Sequence, residues 1–293
     1  MNAVSEDRYQ LIDFGDGRKL ESLAGHLVDR PSPAAMGHPR SQPSRWQEAD
    51  ARYDAATKKW THHARWPDAL AVDCGGFRMP VRPTPYGHIG LFPEQADNWA
   101  WLAADQVFGE QPVAALNLFG YTGASTIALA KAGFRVAHVD AAKPNVQATR
   151  GAAELNQLSE APIRYLVDDA AKFAARELRR ENRYHTIVMD PPAYGHSPQG
   201  KAWRLERDLW PLLEDCLQLL DPGSFRLLIT GHSAEVECEQ VVDYLHRTPF
   251  IRLIRETCGL LLDSGRSQLK DSSGRRLDTG FVVRLQNKNS RSE

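Results

Sequence analysis

Cysteine is scarce in this sequence, and its few copies lie too far apart to form a familiar site. Only four cysteines occur in 293 residues, and no two of them have a C-x-x-C spacing. They are Cys74, Cys216, Cys238 and Cys258. Isolated cysteines of this kind are typical of reduced thiols in a cytoplasmic protein. The sequence therefore predicts no bound metal and no disulfide framework.

Long apolar segments are missing as well. Residues 1–16 are acidic and mixed, without the apolar core of a secretory signal. No stretch approaches the roughly 18 apolar residues that a membrane-spanning helix needs. Hydrophobic residues nevertheless make up 42% of the chain, which is enough for a sizeable core. We therefore predict a globular cytoplasmic protein without a membrane segment, built as one large domain or two ordinary ones.

A surplus of positive charge is the third absence. The formal net charge is -1, whereas proteins that hold nucleic acid through many phosphate contacts usually carry a basic surplus. This charge argues against a uniformly basic surface. It leaves room for a local basic patch, because 36 lysine and arginine residues are present.

Residues 1–84 have a broken texture that predicts a small β-rich subdomain. Candidate strands at residues 9–14 and 69–72 are separated by glycine, proline and aspartate. Four prolines fall within residues 30–44 and predict a loop or an extended arm there rather than a helix. We expect the aromatic residues of this part to be core residues rather than a surface that stacks on bases. These are Trp46, Tyr53, Trp60 and Trp66.

Residues 85–293 have a different texture, in which strand-like apolar runs alternate with segments of helical spacing. The predicted strands cover residues 113–119, 135–140, 163–167, 186–189, 224–230, 251–257 and 280–285. The predicted helices cover residues 125–131, 144–156, 170–181, 205–220 and 234–246. Strands separated by helices of this length form a parallel sheet that is covered on both faces. We predict an α/β domain with a doubly wound, mostly parallel, seven-stranded sheet.

The turn after the first strand of this domain is a candidate cofactor site, because ligands bind beyond the carboxyl ends of such strands. It reads Asn117-Leu118-Phe119-Gly120-Tyr121-Thr122-Gly123 and lacks the G-x-G-x-x-G pattern. A dinucleotide needs that pattern because its pyrophosphate approaches the backbone at a helix N-terminus. S-adenosylmethionine has no phosphate and needs only a tight turn beside its methionine part. A purely structural turn explains the two glycines equally well, so the residues at the other strand ends decide between the two.

Acidic residues stand at the ends of the next three predicted strands. Asp140 ends the second strand, 20 residues after Gly120, where a carboxylate accepts hydrogen bonds from both ribose hydroxyls. Asp168 and Asp169 end the third strand, where a carboxylate can accept from an adenine amino group. Asp169 could also cap the helix that follows. Asp190 ends the fourth strand, and the series favours an adenosyl cofactor.

The segment Asp190-Pro191-Pro192-Ala193-Tyr194-Gly195 is the most specific pattern in the chain. Two consecutive prolines after a buried strand fix a rigid, extended turn that has no N–H donors. The groups left to point outward are acceptors, namely the Asp190 carboxylate and backbone carbonyls. Such a rim suits an amino or ring N–H group held beside a methyl donor. Tyr194 could stack on a planar base or cover the cofactor.

These motifs resemble those of class I methyltransferases, and specifically the ribosomal RNA large-subunit methyltransferase family with an Asp-Pro-Pro-x-aromatic motif. The segment Gly90-Leu91-Phe92-Pro93-Glu94-Gln95 with Asn98-Trp99 is similar to the lead-in helix of that family, whose start covers the cofactor. The segment Leu277-Asp278-Thr279-Gly280-Phe281 resembles its last hairpin. Members usually carry an RNA-binding domain at the extreme N-terminus, and residues 1–84 match the family's β-rich module only in outline.

The resemblance implies two groups of functional residues and no metal. The implied catalytic residues are Asp190, Pro191, Pro192 and Tyr194. The implied cofactor-binding residues are Phe92, Asn117, Phe119, Gly120, Tyr121, Thr122, Gly123, Ala124, Asp140, Ala141, Asp168, Asp169 and Asp190. S-adenosylmethionine is the implied cofactor, and RNA is the implied substrate.

One departure from the family concerns the modified atom. Members that methylate cytosine C5 use a cysteine just after the fifth strand, where this chain reads Thr230-Gly231-His232-Ser233. Without a thiolate there, covalent activation of the ring carbon is not available, whereas transfer to nitrogen or oxygen needs no covalent intermediate and depends mostly on positioning. Cys238 lies further along, in a predicted helix, and is a poor substitute. His232 could act as a base or merely pack.

Three readings of the function remain open at the level of sequence. The first is an RNA methyltransferase that modifies a nitrogen atom. The second is a methyltransferase for a small molecule or a protein side chain, which the near-neutral charge allows. The third is a nucleotide-binding dehydrogenase or a cofactor-binding protein without catalysis. The Asp-Pro-Pro turn and the missing G-x-G-x-x-G pattern disfavour the third.

Overall fold

The computed structural model describes residues 7–104, 113–196, 200, 202–233 and 235–287. Contacts divide the chain into two compact units, one of residues 1–96 and 267–279 and the other of residues 97–266 and 280–293. The first of these units extends beyond residue 84 and also includes residues 267–279. The domain boundary between residues 84 and 85 therefore stays a prediction.

The first unit is built on a five-stranded sheet in which the strands lie in sequence order. Its strands are β1 Tyr9–Gly15, β2 Arg18–Leu23, β3 His26–Pro31, β4 Ala51–Asp54 and β5 Lys59–His62, followed by a separate hairpin of β6 Ala71–Asp73 and β7 Arg78–Pro80. Strands β3 and β4 are parallel, and the other neighbours are antiparallel. The proline-rich segment forms only short 3-10 turns at Pro33–Ala35 and Pro43–Glu48, in agreement with the predicted arm.

The predicted core role of the aromatic residues holds for two of them. Trp46 and Tyr53 are buried. Trp60 and Trp66 are only half-buried. Trp60 packs on Tyr53 and donates from its indole N–H to the carbonyl oxygen of Thr84.

The chain also contains a seven-stranded sheet, which confirms the predicted fold class. Its strands are β8 Ala114–Leu118, β9 Arg135–Asp140, β10 Ile163–Val167, β11 Thr186–Met189, β14 Arg226–Gly231, β15 Leu260–Lys270 and β16 Arg276–Asn287, and a small hairpin is formed by β12 Tyr194–His196 and β13 Ala202–Arg204. The order in the sheet is β10-β9-β8-β11-β14-β16-β15. The first five strands of that order are parallel, and β16 runs antiparallel to β14.

Helices follow the strands in alternation, as the spacing of the sequence predicts. They are α1 Ala96–Ala103, α2 Ala124–Lys131, α3 Lys143–Leu155, α4 Ala170–Arg179, α5 Leu205–Leu219, α6 Cys238–Arg247 and α7 Pro249–Thr257. Every residue of β11 and β14 is buried, because strands covered on both faces expose neither side. None of the helices within the described ranges is long and apolar enough to cross a membrane.

The strand predicted at residues 251–257 is wrong, because this segment forms α7. Its apolar residues look alternating, yet the two that are buried, Ile251 and Ile254, have the i, i+3 spacing of a helix face, and Leu253 is exposed. Pro249 stands in the first turn, where its missing N–H costs nothing. Strand β15 was not predicted from the sequence either. The helix predicted at residues 234–246 begins at Cys238 instead, and residue 234 lies outside the described residues.

The strand order reverses at β8, which has β9 on one side and β11 on the other. In open α/β sheets, the crevice beyond the carboxyl ends of the strands at such a reversal binds the ligand. The residues that follow β8, β9, β10 and β11 therefore define where a functional site is expected.

Candidate active site

The register of the sheet brings the four predicted strand ends to one edge. Leu118 pairs with Val139 on one side and with Met189 on the other, and Asp140 pairs with Val167. Neighbouring strands lie about 4.8 Å apart. The turn after β8 and the acidic residues at the ends of β9, β10 and β11 thus share one edge.

The turn after β8, residues 119–123 and here called the glycine turn, has a strained backbone. Phe119 and Tyr121 adopt positive φ angles of 57° and 48°, which non-glycine residues rarely do. Each costs on the order of 1–3 kcal/mol, and such strain clusters at functional sites. The turn is held by the N–H of Gly120, which donates to the Val139 carbonyl at 3.0 Å, and by the N–H of Gly123, which donates to the Gly120 carbonyl at 3.0 Å.

Both glycines of this turn are required by close packing against the protein itself. A Cβ atom at Gly120 would lie 2.4 Å from Cε1 of His138. A Cβ atom at Gly123 would lie 2.3 Å from Cγ2 of Thr149, and Gly123 also has a φ of 93°. The structure accounts for the two glycines without a ligand, so their contact with the cofactor stays a prediction.

A chain of buried polar side chains, here called the His138 chain, lies beneath the turn and was not predicted. Asn117 donates from Nδ2 to the Thr126 hydroxyl at 2.9 Å, and that hydroxyl lies 2.9 Å from Nδ1 of His138. On the other side of the ring, Nε2 lies 3.1 Å from the hydroxyl of Thr149. Thr149 donates in turn to the Tyr121 carbonyl at 3.2 Å or the Asn145 carbonyl at 3.1 Å. The chain ties β8, α2, β9 and α3 to the glycine turn.

Burial has two consequences for the members of this chain. It lowers the pKa of His138 to about 4, so the ring is neutral near pH 7. It also keeps Asn117, which is 2% exposed, turned into the protein. The contribution of Asn117 to cofactor binding stays a prediction, and its side-chain amide donates to the Thr126 hydroxyl. A histidine in the middle of the apolar strand β9 was the sequence signal that could have revealed the chain.

Asp140 connects the ends of β8 and β9. Its Oδ2 accepts from the N–H of Tyr121 at 2.8 Å, and its Oδ1 accepts from the N–H of Ala142 at 2.8 Å and from Nδ2 of Asn145 at 3.0 Å. Burial raises the pKa of this carboxyl, and the three hydrogen bonds oppose the rise. Because a carboxylate offers about four acceptor sites, about one remains for a ligand. Ala141 lies between Asp140 and the donor residue Ala142 in the sequence and is half-buried.

The two acidic residues after β10 have partners of their own. Asp169 caps α4, since its Oδ1 accepts from the N–H of Lys172 at 2.9 Å, and this confirms the capping role that the sequence allowed. Asp168 forms an ion pair with Arg176 of α4 and accepts from the N–H of Asp169 at 2.8 Å. Arg176 was not predicted to take part.

The turn Asp190-Pro191-Pro192 follows β11 and is braced on both sides. Oδ1 of Asp190 accepts from the Thr230 hydroxyl of β14 at 2.6 Å. The Pro192 carbonyl accepts from the indole N–H of Trp203 at 2.7 Å, and the Ala193 carbonyl accepts from the N–H of Leu205 at 3.0 Å. Two of the carbonyls that the sequence assigned to a ligand are therefore used by the protein.

The hairpin of β12 and β13 presents an exposed aromatic residue directly after this turn. Tyr194 is 56% exposed, and its hydroxyl lies 3.0 Å from Nε2 of His196. On the opposite strand, Trp203 packs on Phe119 of the glycine turn with ring centroids 4.9 Å apart. The hairpin thus joins the Asp-Pro-Pro turn to the glycine turn. No strand was predicted at these residues from the sequence.

The remaining candidate residues include Phe92, Thr122 and His232. Phe92 belongs to the first unit, precedes the 3-10 turn Pro93–Gln95 and packs edge-on against His88 at 5.7 Å between ring centroids. Its contact with the cofactor stays a prediction, as does the role of Thr122. His232 follows β14, and a Cβ atom at Gly280 would lie 2.8 Å from its Nδ1. Across the described ranges, no group of three or more His, Cys, Asp or Glu side chains could hold a metal ion.

Cys238 does not have the setting of a nucleophile. Its thiol is 5% exposed and lies 3.7 Å from the Val282 carbonyl. Burial raises the pKa of this thiol above its ordinary value. The other fully buried cysteine, Cys216, has its pKa raised by burial as well.

Comparison with known proteins identifies relatives. No family model matches the chain. The crystal structure of an S-adenosylmethionine-dependent methyltransferase from Agrobacterium tumefaciens has a TM-score of 0.87 and 31% sequence identity, with 98% of this chain and 91% of that chain covered. Ribosomal RNA large subunit methyltransferase K/L from Methylococcus capsulatus is 27% identical over 238 residues, or 78% of this chain. Ribosomal RNA large subunit methyltransferase I from Salmonella arizonae is 29% identical over 164 residues, or 55% of this chain.

The relatives differ in how much of their own length is matched. The chain spans 30% and 39% of the two ribosomal RNA methyltransferases, so their whole activities are not carried over by similarity alone. The Agrobacterium tumefaciens structure is matched over nearly its full length. That match confirms the predicted cofactor, S-adenosylmethionine, and disfavours the dehydrogenase reading. The chain belongs to the S-adenosylmethionine-dependent methyltransferases.

Proposed function

We propose that this methyltransferase acts on RNA, with a base of ribosomal RNA as the acceptor and a nitrogen atom as the methylated position. The observation that carries the proposal is the exposed Tyr194, which follows Asp190-Pro191-Pro192 directly. An exposed aromatic ring beside a set of acceptors suits an unstacked base, because single-stranded RNA is recognised by stacking and by hydrogen bonds to base edges. The names of the two ribosomal RNA methyltransferases support the same substrate class.

The residues at the sheet edge fit S-adenosylmethionine. Gly123 is the N-cap of α2 and offers no side-chain cap, so the N–H groups that begin with Ala124 are suited to the carboxylate of the cofactor. Asp140 keeps about one acceptor site for a ribose hydroxyl. We assign Phe119, Gly120 and Tyr121 to the backbone wall of the site. We assign Asp168, which forms an ion pair with Arg176 at the end of the neighbouring strand, to the adenine part of the cofactor.

We assign to Asp190 the task of holding the acceptor. When bound, S-adenosylmethionine supplies a methyl group on a strongly electrophilic sulfonium. The Thr230 hydroxyl fixes the orientation of the Asp190 carboxylate, which accepts a hydrogen bond from the amino or ring N–H group of the base. The prolines keep N–H donors away from this acceptor. Tyr194 stacks on the base and limits its orientation.

The cysteines favour nitrogen over cytosine C5 as the acceptor. Covalent activation of C5 needs a thiolate, and burial raises the pKa of both Cys238 and Cys216. The position after β14, Gly231-His232-Ser233, provides no thiol. A nitrogen acceptor needs only its lone pair aimed at the methyl group and its protons held by acceptors. We also retain the predicted cytoplasmic location.

The test is transfer of labelled methyl from S-adenosylmethionine into separate fractions of total RNA, protein and small metabolites. We expect label in ribosomal RNA, abolished by nuclease digestion before the reaction. Tyr194→Phe should keep most of the transfer and Tyr194→Ala should lose it, because only the first keeps a stacking ring. Label in protein or in metabolites, with none in RNA, would establish the second reading of the sequence instead.

A further inference from the structure

A cavity of about 290 Å³ opens at the other edge of the seven-stranded sheet, where the parallel strands begin. Its polar lining residues are Arg135, Arg164, Glu177, Asn182, Arg183 and Tyr184. Tyr184 lies just before β11 and Asp190 directly after it. The two residues are six positions apart, which corresponds to about 20 Å of extended chain. This cavity, here called the arginine pocket, is therefore separate from the site described above.

Strands and a helix end contribute the arginines of this pocket. Arg135 is the first residue of β9, and Arg164 is the second residue of β10, where it pairs with Ala137. Because side chains alternate along a strand, Arg135 and Ala137 point to the same face, and Arg164 shares it. Arg183 stands in the loop between α4 and β11.

The acidic residue of the pocket is satisfied by the protein. Glu177 is fully buried and accepts from the Tyr184 hydroxyl at 2.6 Å, from Nδ2 of Asn182 at 2.7 Å and from Nη1 of Arg180 at 2.9 Å. Burial alone would raise the pKa of this carboxyl, but these hydrogen bonds and the charge of Arg164 outweigh it and hold the pKa below its ordinary value. Glu177 is thus ionised and neutralises one of the nearby guanidinium groups.

The other arginines keep donors for a ligand. Arg164 has a half-exposed side chain, and its Nη1 lies 3.9 Å from Oε2 of Glu177, beyond hydrogen-bonding distance. Arg183 donates from Nη1 to the Gln218 carbonyl at 2.5 Å, which engages one of its five N–H groups. The side chain of Arg135 is exposed, and its guanidinium forms no hydrogen bond or ion pair with any described residue, whereas its backbone N–H donates to the Val113 carbonyl at 2.9 Å. Arg135, Arg164 and Arg183 therefore line a cavity that contains one carboxylate, and Arg180 beside the cavity pairs with that carboxylate.

The helix dipole at the C-terminus of α4 does not by itself explain this cluster of arginines. Cations near a helix C-terminus are stabilised by the helix dipole, which accounts for Arg179 and Arg180. Arg135 and Arg164 come from strands and have no such reason to converge on the same cavity. Guanidinium groups are the side chains best suited to two-pronged recognition of phosphate oxygens. In a chain with a net charge of -1, the cluster is a distinct positive site.

We propose that the arginine pocket binds a backbone phosphate of the RNA substrate, away from the base that is methylated. The inference rests on the proposed RNA substrate and adds to it a second point of contact. A contact about 20 Å from the Asp-Pro-Pro turn would read the position of the RNA backbone rather than the identity of a base. It supplies affinity that the near-neutral charge of the whole chain does not.

The test compares binding of end-labelled fragments of total ribosomal RNA to the wild type and to a double variant, Arg135→Ser with Arg164→Ser, over a range of salt concentrations. Arg180 and Arg183 are left in place because they contact the protein. We expect the double variant to bind about tenfold more weakly at low salt. The slope of log affinity against log salt should fall by about 0.7 for a single lost phosphate contact on single-stranded RNA. Arg252→Ser with Arg255→Ser, on the exposed face of α7, removes the same charge elsewhere and should leave the slope unchanged.

Three further measurements separate the outcomes. Circular dichroism and thermal melting of both variants report any loss of fold, and Arg135→Lys with Arg164→Lys should retain the salt slope if charge is what matters. Unchanged affinity and slope in the serine variant would overturn the phosphate contact, even if the wild type methylates RNA. Titration with inorganic phosphate that binds the wild type and not the serine variant, while RNA binding is the same in both, would identify a site for free anions and equally overturn it. The proposed function is judged separately, by whether label enters RNA at all.

Discussion

The hydroxyl of Thr126 lies 2.9 Å from Nδ1 of His138, and this contact determines which nitrogen of the ring carries the proton. Thr126 already accepts from the Asn117 amide, so its own proton is directed at Nδ1. Nε2 therefore carries the ring proton and donates it to Thr149, whose hydroxyl proton goes to a backbone carbonyl. A second proton on the ring would meet the Thr126 proton head-on. The glycine turn thus rests on a histidine that functions only in its neutral form.

The neutral His138 makes the stability of the protein depend on pH. Its pKa is about 4 in the folded protein and about 6.5 when unfolded, so the unfolded chain takes up the proton first as the pH falls. Stability should be at its full value above about pH 6.5 and should fall by about 3 kcal/mol between pH 6.5 and pH 4. Urea unfolding at several pH values measures this. His138→Asn is the comparison, and a variant that loses as much stability over the same interval would contradict the assignment to His138.

Gly120→Ala should damage the glycine turn by forcing Cβ into the His138 ring. The clash at 2.4 Å requires a shift of the ring or the backbone, and overpacking of this kind costs about 1–3 kcal/mol. Affinity for S-adenosylmethionine should fall with it. Gly151→Ala in α3 is a matched control, because no atom lies within 4 Å of the added Cβ, and it should be neutral or stabilise by up to about 1 kcal/mol. Equal effects of the two substitutions would mean that the turn can yield without cost.

Asp140→Ala should weaken both cofactor binding and the fold. It removes an acceptor for the ribose and also leaves the N–H groups of Tyr121 and Ala142 without their partner. The loss of cofactor affinity should be about 2–4 kcal/mol, judging from hydrogen bonds to charged groups. Calorimetric titration with S-adenosylmethionine and with S-adenosylhomocysteine measures it. Asp54→Ala is the control, since it removes a carboxylate that accepts from a backbone N–H at an exposed turn, and it should leave cofactor affinity unchanged. Undiminished affinity in Asp140→Ala would defeat the assignment.

Asp190→Ala should keep the fold and most of the cofactor affinity while losing methyl transfer by about 10²-fold or more. The carboxylate acts on the acceptor, so its loss is felt mainly in the transition state. Thr230→Val keeps the carboxylate but removes the hydroxyl that orients it, and should have a smaller effect in the same direction. Turnover of labelled methyl on RNA and calorimetric affinity for the cofactor are measured on the same preparations. Near-normal turnover in Asp190→Ala would show that the motif has a structural role only.

The modified nucleoside should be a base methylated on nitrogen and not 5-methylcytosine. Cys238→Ser should retain activity, because the thiol is buried, faces a carbonyl and has a raised pKa. Digestion of the methylated RNA to nucleosides, followed by mass spectrometry, identifies the product. The appearance of 5-methylcytosine together with an inactive Cys238→Ser variant would mean that the nucleophile has been misplaced.

The parts of this protein that follow from local pattern could be predicted, and those that depend on tertiary pairing could not. Strand ends marked by Asp140 and Asp190 are visible in the sequence, because apolar runs and acidic residues alternate over short distances. The strand predicted at residues 251–257 failed because I-R-L-I fits two periodicities, and only packing chooses between them. The His138 chain joins residues from four elements, and no spacing along the chain indicates that they meet.

The dependence on tertiary contacts also explains why the site predicted from the sequence was incomplete. The glycine turn was assigned to the cofactor, yet the sequence could not reveal that His138 and Thr149 fill the space beside its glycines. Asp168 was expected to face a ligand, and its partner Arg176 lies two turns along α4, a separation that many unrelated pairs share. Burial and partners decide how many acceptor sites each carboxylate retains, and both are properties of the folded chain.

Trp203 packs on Phe119, so the glycine turn and the hairpin that carries Tyr194 share a wall of two aromatic rings. Under the proposed assignment of Phe119 to the cofactor site, a displacement of Phe119 on donor binding would reach this hairpin through Trp203. Coupling between two binding sites is reciprocal. An acceptor that immobilises the hairpin would therefore raise the affinity for the donor by the same factor by which the donor raises the affinity for the acceptor. The two packed rings would in this sense couple binding of the donor to binding of the acceptor. The demethylated donor lacks the methyl group, so the coupling free energy between it and the acceptor would differ.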